Sequence, residues 1–187
     1  MGIDTFRTAN KFDAEVITQL VNQAYRPASE LAGWTHESDL VSGNRISAGQ
    51  VTDILSSPNS VILVGLKDST IMACVHVEKV DRSCHIGMLA VLPNQQGAGD
   101  GKQMLAYAES YANEFFGAER AVMVVVSLRG ELIDFYLRRG YQRTGSIMDY
   151  PLSANAGTPK YANLKVEVLE KHFNVAIKST THLNSNL

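Results

Sequence analysis

The sequence lacks the features that mark binding to nucleic acids or to membranes. Its 17 Lys and Arg residues are outnumbered by 19 Asp and Glu residues, which gives a formal net charge of -2, and no basic run stands out. No apolar stretch approaches the roughly 20 residues of a transmembrane helix, and the N-terminal segment has no apolar signal-peptide core. We therefore expect a cytoplasmic protein with neither nucleic-acid nor membrane partners.

Cysteine is also scarce. Cys74 and Cys84 lie in apolar, strand-like segments, and there is no second pair at metal-ligand spacing. The sequence therefore predicts buried, reduced thiols and no metal site. The 187 residues, 45% of them hydrophobic, suit one compact domain. We expect residues 1–170 to form this domain and residues 171–187 to be a loosely held tail.

The N-terminal part of the chain is predicted to be helical, with one long interruption. Apolar residues at helical spacing predict a first helix from Asp13 to Tyr25, which Pro27 ends. The segment 27–45 has no periodicity and contains the only tryptophan, Trp34. Ser47, with a glutamine three residues later, predicts the start of a short second helix. A loop of this length is uncommon unless it is functional, so it either shapes a substrate entrance or is a tolerated surface insertion.

The remaining two thirds of the chain alternate between strands and helices. The predicted strands are 61–66, 71–77 and 83–92, which form an antiparallel meander, followed by 121–127, 141–150 and 163–169. A glycine-rich turn leads into a helix with an apolar face between Met104 and Phe115. A shorter helix, 131–139, is closed by Gly140 as a left-handed cap. This order predicts an α+β fold with one central crossover.

The turn before the third helix has the character of an anion-binding site. Its sequence is Gln96-Gly97-Ala98-Gly99-Asp100-Gly101-Lys102. Glycines at alternate positions leave backbone N–H groups free to converge on a diphosphate, and the following helix adds its positive dipole end. A Walker loop requires a longer glycine spacing and Ser or Thr after the lysine, and a dinucleotide fold requires a parallel sheet, so both are rejected.

The surrounding sequence is more specific than the turn. The run from Ile86 to Pro93, followed by Gln96 to Gly101, resembles the signature of the GNAT superfamily: a strand, Val-x-Pro, then Gln/Arg-x-x-Gly-x-Gly/Ala. Downstream, the run from Phe135 to Tyr141 is similar to the family's second motif. The resemblance covers roughly residues 61–169. It implies that the protein is an acetyl-CoA dependent N-acetyltransferase. It also implies an α+β fold whose mixed, mostly antiparallel sheet of about six to seven strands carries helices on both faces.

The resemblance implies acyl transfer from acetyl-CoA (coenzyme A) to a primary amine by direct attack on the thioester. Backbone groups of the signature strand would hold the pantetheine arm, the amide of Leu89 would polarise the thioester carbonyl, and the glycine turn would bind the diphosphate. The implied cofactor-binding residues are Leu89, Ala90, Val91, Gln96, Gly97, Ala98, Gly99, Asp100, Gly101 and Lys102.

Acid and base candidates follow from the same resemblance. Tyr136 matches the family's general acid, although a tyrosine on an apolar helix face is equally suited to the core. His85 occupies a position where some members carry a catalytic Glu. A two-residue turn after Val80 would place Glu78 opposite His85, whereas another register would favour His76. The alternatives are a structural histidine and a solvated glutamate.

Two positions depart from the family pattern. Asp100 stands where an apolar residue is usual, so its carboxylate would repel a diphosphate unless it points away or pairs with Lys102. Arg129 stands where many relatives have an Asn that contacts pantetheine, so that contact is not carried over. The arginine is expected either to bind a ribose phosphate or to cover the surface.

The acceptor is predicted to be a small-molecule amine. Glu37, Glu30 and Asp39, near Trp34, would together form an acidic groove that favours a cationic amine, so Trp34 and Glu37 are candidate substrate residues. The alternative is that these acidic side chains only keep the loop solvated. Two other functions stay open: acetylation of peptide or protein amines, and a catalytically silent acetyl-CoA sensor. Both a monomer and a homodimer are compatible with the sequence.

Overall fold

The computed structural model describes residues 2–27 and 36–173. The strands are β1 (Thr5–Thr8), β2 (Val41–Ser42), β3 (Ser60–Lys67), β4 (Thr70–Val80), β5 (Ser83–Val91), β6 (Arg120–Val126), β7 (Gln142–Asp149), β8 (Thr158–Pro159) and β9 (Lys165–His172). The helices are α1 (Ala14–Tyr25), α2 (Ala48–Ser56), α3 (Asp100–Glu114) and α4 (Gly130–Leu137). Seven strands form one sheet in the order β1-β3-β4-β5-β6-β9-β7, and β2 pairs with β8.

The sheet is mostly antiparallel and is covered on both faces. Within the seven-stranded sheet, β5 and β6 are parallel and the other neighbouring strands are antiparallel. One core contains residues of α3 and α4, and a second contains residues of α1 and α2. Because β3 contributes Leu63 to the first core and Val64 to the second, its sequence is continuously apolar. The predicted α+β fold, with about six to seven strands and helices on both faces, is confirmed.

The helix starts illustrate how local chemistry sets the boundaries. At α2, the Ser47 hydroxyl accepts from the Gln50 amide at 3.2 Å and the Gln50 side chain accepts from the Ser47 amide at 2.9 Å. This capping box is the one predicted from sequence. At α1, Asp13 makes no capping bond to the helix. The cap is instead Asn10, which starts a 3₁₀ turn that runs directly into α1.

Three short strands are absent from the predicted elements. β1 pairs with β3, and β2, which lies inside the predicted loop 27–45, pairs with β8. At two to four residues, these strands are too short to have a detectable period. Lys171 and His172 belong to β9, so the predicted tail overlaps this strand. The other tail residues from 174 onwards, and Trp34, lie outside the described residues.

Two irregularities in β5 open the sheet at its centre. The pairing of β4 with β5 shifts between Cys74, which pairs with Ala90, and His76, which pairs with Gly87. The extra residue in β5 forms a bulge, with Met88 at a left-handed φ of 53°. On the other side, β5 pairs with β6 only as far as His85 and Val122. The last part of β5 therefore has no strand partner at its β6 edge.

Both cysteines are buried and unbonded, as predicted. Burial raises the pKa of the Cys74 thiol to about 12 and that of Cys84 to about 11. Both thiols are therefore protonated at neutral pH. Across residues 2–27 and 36–173, no cluster of three or more His, Cys, Asp and Glu side chains is arranged to hold a metal ion. None of the helices in this part of the chain is long and apolar enough to cross a membrane.

Candidate active site

Two cavities meet beside the open end of β5. The first, of about 190 Å³, is lined by residues of the glycine turn and by Leu89 and Val91, and we call it the glycine cavity. The second, of about 340 Å³, is lined by His76 and His85, and we call it the histidine cavity. The residues that line both are Tyr25, Arg129, Leu132 and Tyr136. These shared residues are the point at which ligands in the two cavities would meet.

The wall of the glycine cavity is bare backbone. Gly97 and Gly99 have left-handed φ values of 90° and 94°, and a Cβ added at either would meet no atom within 4 Å. Gly99 directly precedes α3, whose first amides have no intrahelical partner and carry the positive end of the helix dipole. Lys102 and Arg139 add positive charge to the lining. The cavity therefore has the shape and charge to hold a phosphate-bearing ligand.

Asp100 does not oppose this charge. Its side chain is buried, and its Oδ1 accepts from the Ile3 amide at 3.2 Å. The carboxylate is thus directed to the N-terminal segment, and Asp100 is not a lining residue of the glycine cavity. Of the two arrangements considered from sequence, pointing away and pairing with Lys102, the structure has the first.

The predicted cofactor residues divide into two groups. Those that line the glycine cavity are Leu89, Val91, Gln96, Gly97, Gly99, Gly101 and Lys102. Ala90 is buried in the core beneath α1 and α2, and Ala98 is exposed. Gln96 also shapes the turn, because its Nε2 donates to the Val91 carbonyl at 3.0 Å and so ties the turn to the end of β5.

Tyr25 fixes the bulged end of β5. Its hydroxyl donates to the Leu89 carbonyl at 3.1 Å, which connects the end of α1 to the strand. Burial raises the pKa of Tyr25, so the phenol remains protonated and keeps this donor. The hydrogen bond holds the Leu89 backbone in place at the wall of the glycine cavity.

Tyr136 lies on α4 at the junction of the two cavities. The residue is 6% exposed, and its ring packs edge-on against Phe135 and Tyr141. Burial raises the pKa of Tyr136 well above its ordinary value, so its hydroxyl carries a proton throughout the neutral range. This is a phenol held rigidly by packing, with its proton available at the place where the cavities join.

Two of the three base candidates, His85 and His76, line the histidine cavity. The two-residue turn at Asp81 and Arg82 pairs Glu78 with His85, which confirms the predicted register. His85 is exposed and lines the cavity, whereas Glu78 lines neither cavity. His76 also lines it, with Nε2 at 3.2 Å from the Ser60 hydroxyl. Burial lowers the pKa of His76, which favours its neutral, proton-accepting form.

Glu37 is part of a buried ion cluster. Its Oε1 lies 2.7 Å from Arg26 Nη1, and its Oε2 lies 3.8 Å from Arg129 Nη1. All three side chains are less than a tenth exposed. Arg129 therefore does not cover the surface, which was one of the roles considered for it. Glu37 lines the histidine cavity, and its negative charge is compensated by the two arginines. Glu30 and Trp34 lie outside the described residues.

The sequence matches a family model across most of this region. The model of the acetyltransferase (GNAT) family matches residues 17–143. The chain belongs to the GNAT acetyltransferase family. Both sequence motifs, and the Tyr136 junction between the cavities, lie within the matched residues. No curated protein matches the sequence significantly.

Solved structures share the GNAT fold at low sequence identity. The ribosomal-protein-alanine N-acetyltransferase from Escherichia coli is 14% identical, with a TM-score of 0.67 over 94% of this chain and 97% of that one. A spermidine N-acetyltransferase variant from Vibrio cholerae is 12% identical, with a TM-score of 0.66 over 90% and 92%. The PaiA N-acetyltransferase from Thermoplasma acidophilum, in complex with coenzyme A, is 12% identical, with a TM-score of 0.61 over 90% and 98%. These similarities establish the fold and leave the acceptor open.

Several residues that line the two cavities were not identified from the sequence. They are Tyr25, Arg45, Leu132, Phe135, Arg139 and Tyr150, all of which line one or both cavities. Tyr25 was placed on the apolar face of the first helix, and nothing in the local pattern distinguishes its hydroxyl from that of a core tyrosine. Arg45 lies in the predicted loop, where sequence periodicity gives no information on direction.

Proposed function

We propose that this GNAT protein transfers the acetyl group of acetyl-CoA to the primary amine of a small molecule. One observation carries the proposal: a phosphate-suited cavity and a histidine-lined cavity meet at a buried, protonated Tyr136. An acyl donor in the first cavity and an amine in the second would react at that junction. The proposed enzyme is cytoplasmic.

The glycine cavity fits the acyl donor. The backbone amides around Gly97 and Gly99, with the start of α3, would bind the diphosphate, and Lys102 and Arg139 would add positive charge. Leu89 and Val91, at the unpaired edge of β5, would hold the pantetheine arm through their backbone groups. When bound, acetyl-CoA supplies the acyl thioester that the amine attacks.

Two proton transfers would then be needed at the junction, one from the ammonium to a base and one from an acid to the leaving sulfur. An alkyl ammonium has a reference pKa near ~10.4, so a base must remove a proton before the nitrogen can attack at neutral pH. We assign this role to His85, directly or through a water, with His76 as the alternative. As the carbon–sulfur bond breaks, the Tyr136 hydroxyl would give its proton to the sulfur. The Leu89 amide would stabilise the charge that develops on the carbonyl oxygen.

The cysteines support direct attack by the amine. A covalent route through an acetylated cysteine requires a thiolate that the acyl donor can reach. Cys74 and Cys84 lie within the two cores, and burial raises the pKa of their thiols to about 12 and about 11. Neither lines the glycine or the histidine cavity.

The size of the histidine cavity supports a small acceptor. Its volume of about 340 Å³ lies at the lower end of the range for small-molecule sites. We expect thiol release from acetyl-CoA to depend on a small primary amine, with the acetylated amine identified by mass spectrometry. Acetylation of peptide amines alone would favour the protein-directed alternative. Binding of acetyl-CoA without turnover of any amine would indicate the silent sensor.

The base assignment predicts a pH-dependent defect. Replacing His85 with Gln should lower the rate of acetyl transfer mainly near neutral pH, because the acceptor is then almost entirely ammonium. The defect should shrink at alkaline pH, where free amine is available without a base. The measurement is the pH profile of kcat/KM for wild type and His85→Gln. A matched control is His172→Gln, because His172 is exposed at the end of β9 and lines neither cavity.

An unchanged profile in His85→Gln would remove His85 from the mechanism. The same measurement on His76→Gln, and then on Glu78→Gln, would locate the base. If none of these variants changes the profile, the proton leaves through ordered water.

A further inference from the structure

The two arginines that contact Glu37 differ in how fully they are bonded. Arg26 donates from Nη1 to the Tyr25 carbonyl, from Nη2 to the Ala156 carbonyl and from Nε to the Gly43 carbonyl, each at 3.1 Å. It also donates to Glu37 at 2.7 Å. Arg26 therefore has a structural role, since it ties the end of α1 to two distant loops and neutralises Glu37.

Arg129 has no comparable set of partners. Its nearest carboxylate oxygen is Glu37 Oε2 at 3.8 Å, which is too long for a hydrogen bond. Within residues 2–27 and 36–173, its guanidinium donates no hydrogen bond, although the side chain is only 7% exposed. A guanidinium has five N–H donors, and within the part of the chain that the structure describes no nitrogen of Arg129 is both inaccessible and unpaired, so its unpaired donors are open to the cavities that it lines. Arg129 lines both cavities, so a ligand in the histidine cavity is placed to accept from it, as is one in the glycine cavity.

A second arginine lines the same cavity. Arg45 is half-buried, and its guanidinium lies 5.3 Å from the centre of the Tyr25 ring. Within the described part of the chain, Arg45 forms no ion pair. Burial lowers the pKa of His76, the charge of Glu78 raises it, and the charge of Arg45 lowers it, so Arg45 acts on the cavity against Glu78.

The charges on the described lining therefore do not suit a cationic ligand. They are Arg45, Arg129 and Glu37, and Glu37 is already bound by Arg26. With both histidines neutral, the lining has one more positive than negative charge, and protonation of either histidine would add to the excess. A polyamine would be repelled by this net positive charge. The acidic groove expected from sequence stays a prediction, because Glu30 and Trp34 lie outside the described residues.

We infer that the acceptor is a small amine that also carries a carboxylate, as an amino acid does, and that Arg45 and Arg129 hold this carboxylate. The planar fork of a guanidinium matches the two oxygens of a carboxylate. Binding the carboxylate at the arginines would leave the amine to face the histidines and the Tyr136 junction. This inference rests on the proposed function, because it names the substrate class of that reaction.

The test compares amino acids with their own carboxamides as acceptors for acetyl-CoA. Each pair has the same side chain and differs at the carboxylate. Because the α-ammonium beside an amide is more acidic than that beside a carboxylate, rates are compared per free amine from pH profiles. Hydrogen bonds to charged groups contribute about 1.5–3 kcal/mol, so we expect kcat/KM to be ~10- to 100-fold higher for the acids. Spermidine and phosphoethanolamine should both be poorer acceptors than the best amino acid.

Variants connect this preference to the arginines. Arg45→Gln should raise KM for amino acids by ~10-fold and bring kcat/KM of the acids close to that of the carboxamides, while the affinity for acetyl-CoA is unchanged. Arg45→Lys should keep part of the preference, because it retains the charge without the fork. Arg129→Gln should also reduce the preference. Arg82→Gln is the matched control, since Arg82 lies at the exposed β4–β5 turn.

The outcomes separate this inference from the proposed function. Equal turnover of acids and carboxamides, or a preference for spermidine, would overturn the inference while leaving acetyl transfer to amines intact. Preference for phosphoethanolamine over every amino acid would overturn the carboxylate assignment. If acetyl-CoA binds but no amine is acetylated, the proposed function fails and the inference fails with it. The wild-type comparison decides these cases even if an arginine variant does not fold.

Discussion

Replacing Tyr136 with phenylalanine is expected to lower kcat by ~10²-fold or more while leaving the affinity for acetyl-CoA unchanged. The change deletes one hydroxyl and keeps the ring that packs against Phe135 and Tyr141. Without the phenol, the sulfur must leave as a thiolate or take its proton from water. Steady-state kinetics with an amine acceptor measure kcat, and calorimetry with coenzyme A measures affinity.

Tyr141 provides the matched control for this experiment. Its ring centre lies 5.7 Å from that of Tyr136, it is equally buried, and it lines neither cavity. Tyr141→Phe should therefore turn over at close to the wild-type rate. If Tyr136→Phe also keeps the wild-type rate, the acid is misassigned. Tyr25, the other tyrosine that lines both cavities, would then be the next candidate.

Replacing Gly99 with valine is expected to abolish acetyl-CoA binding, with a loss of affinity of ~10²-fold or more. The residue has a φ of 94°, which a β-branched side chain adopts only with strain, and its Cβ would occupy open space at the cavity wall. The valine would occupy the space that the diphosphate needs and would disturb the amides at the start of α3. Calorimetry measures the affinity, and circular dichroism checks that the variant is folded.

Gly145 separates the effect of backbone strain from the effect of occupying the cavity. It has a similar φ of 83° and equally open surroundings, but it lies on β7 and lines neither cavity. Gly145→Val should lower the melting temperature by a similar amount and leave acetyl-CoA binding unchanged. Wild-type affinity in Gly99→Val would mean that the diphosphate binds elsewhere.

Features encoded by neighbouring residues could be predicted from the sequence. The capping box of Ser47 and Gln50, the two-residue turn at Asp81 and the left-handed Gly140, with a φ of 89°, all involve groups within a few residues of one another. The glycine turn belongs to the same class, because a bare backbone ahead of a helix is visible in the sequence itself. The turn and its bare backbone could therefore be located from local sequence, and its assignment to the diphosphate of acetyl-CoA came from the family resemblance.

Features that depend on distant residues could not be predicted. β1 exists because it pairs with β3, and four residues carry too little pattern to indicate this partner. The hydrogen bond from Tyr25 to Leu89 joins residues that are 64 positions apart. Neither residue type indicates that a bulge in β5 will bring them together.

The electrostatics of the histidine cavity show the same limit. Glu37 was considered from sequence as a free charge that attracts cations, whereas the structure pairs it with Arg26 and Arg129. A charge counted along the chain says little about the field in a cavity, because the field depends on which partners the fold supplies. Asp100 is a second case, since its charge is turned away from the glycine cavity by a bond to the Ile3 amide.

The most direct test of the central claim is a calorimetric titration of acetyl-CoA into the wild-type protein. We expect saturable binding at one site per chain, because the glycine cavity presents bare backbone, the start of α3 and the charges of Lys102 and Arg139 to one ligand. If no binding heat is detected at millimolar acetyl-CoA, at either of two temperatures, the glycine cavity does not bind acetyl-CoA and the proposed function is wrong.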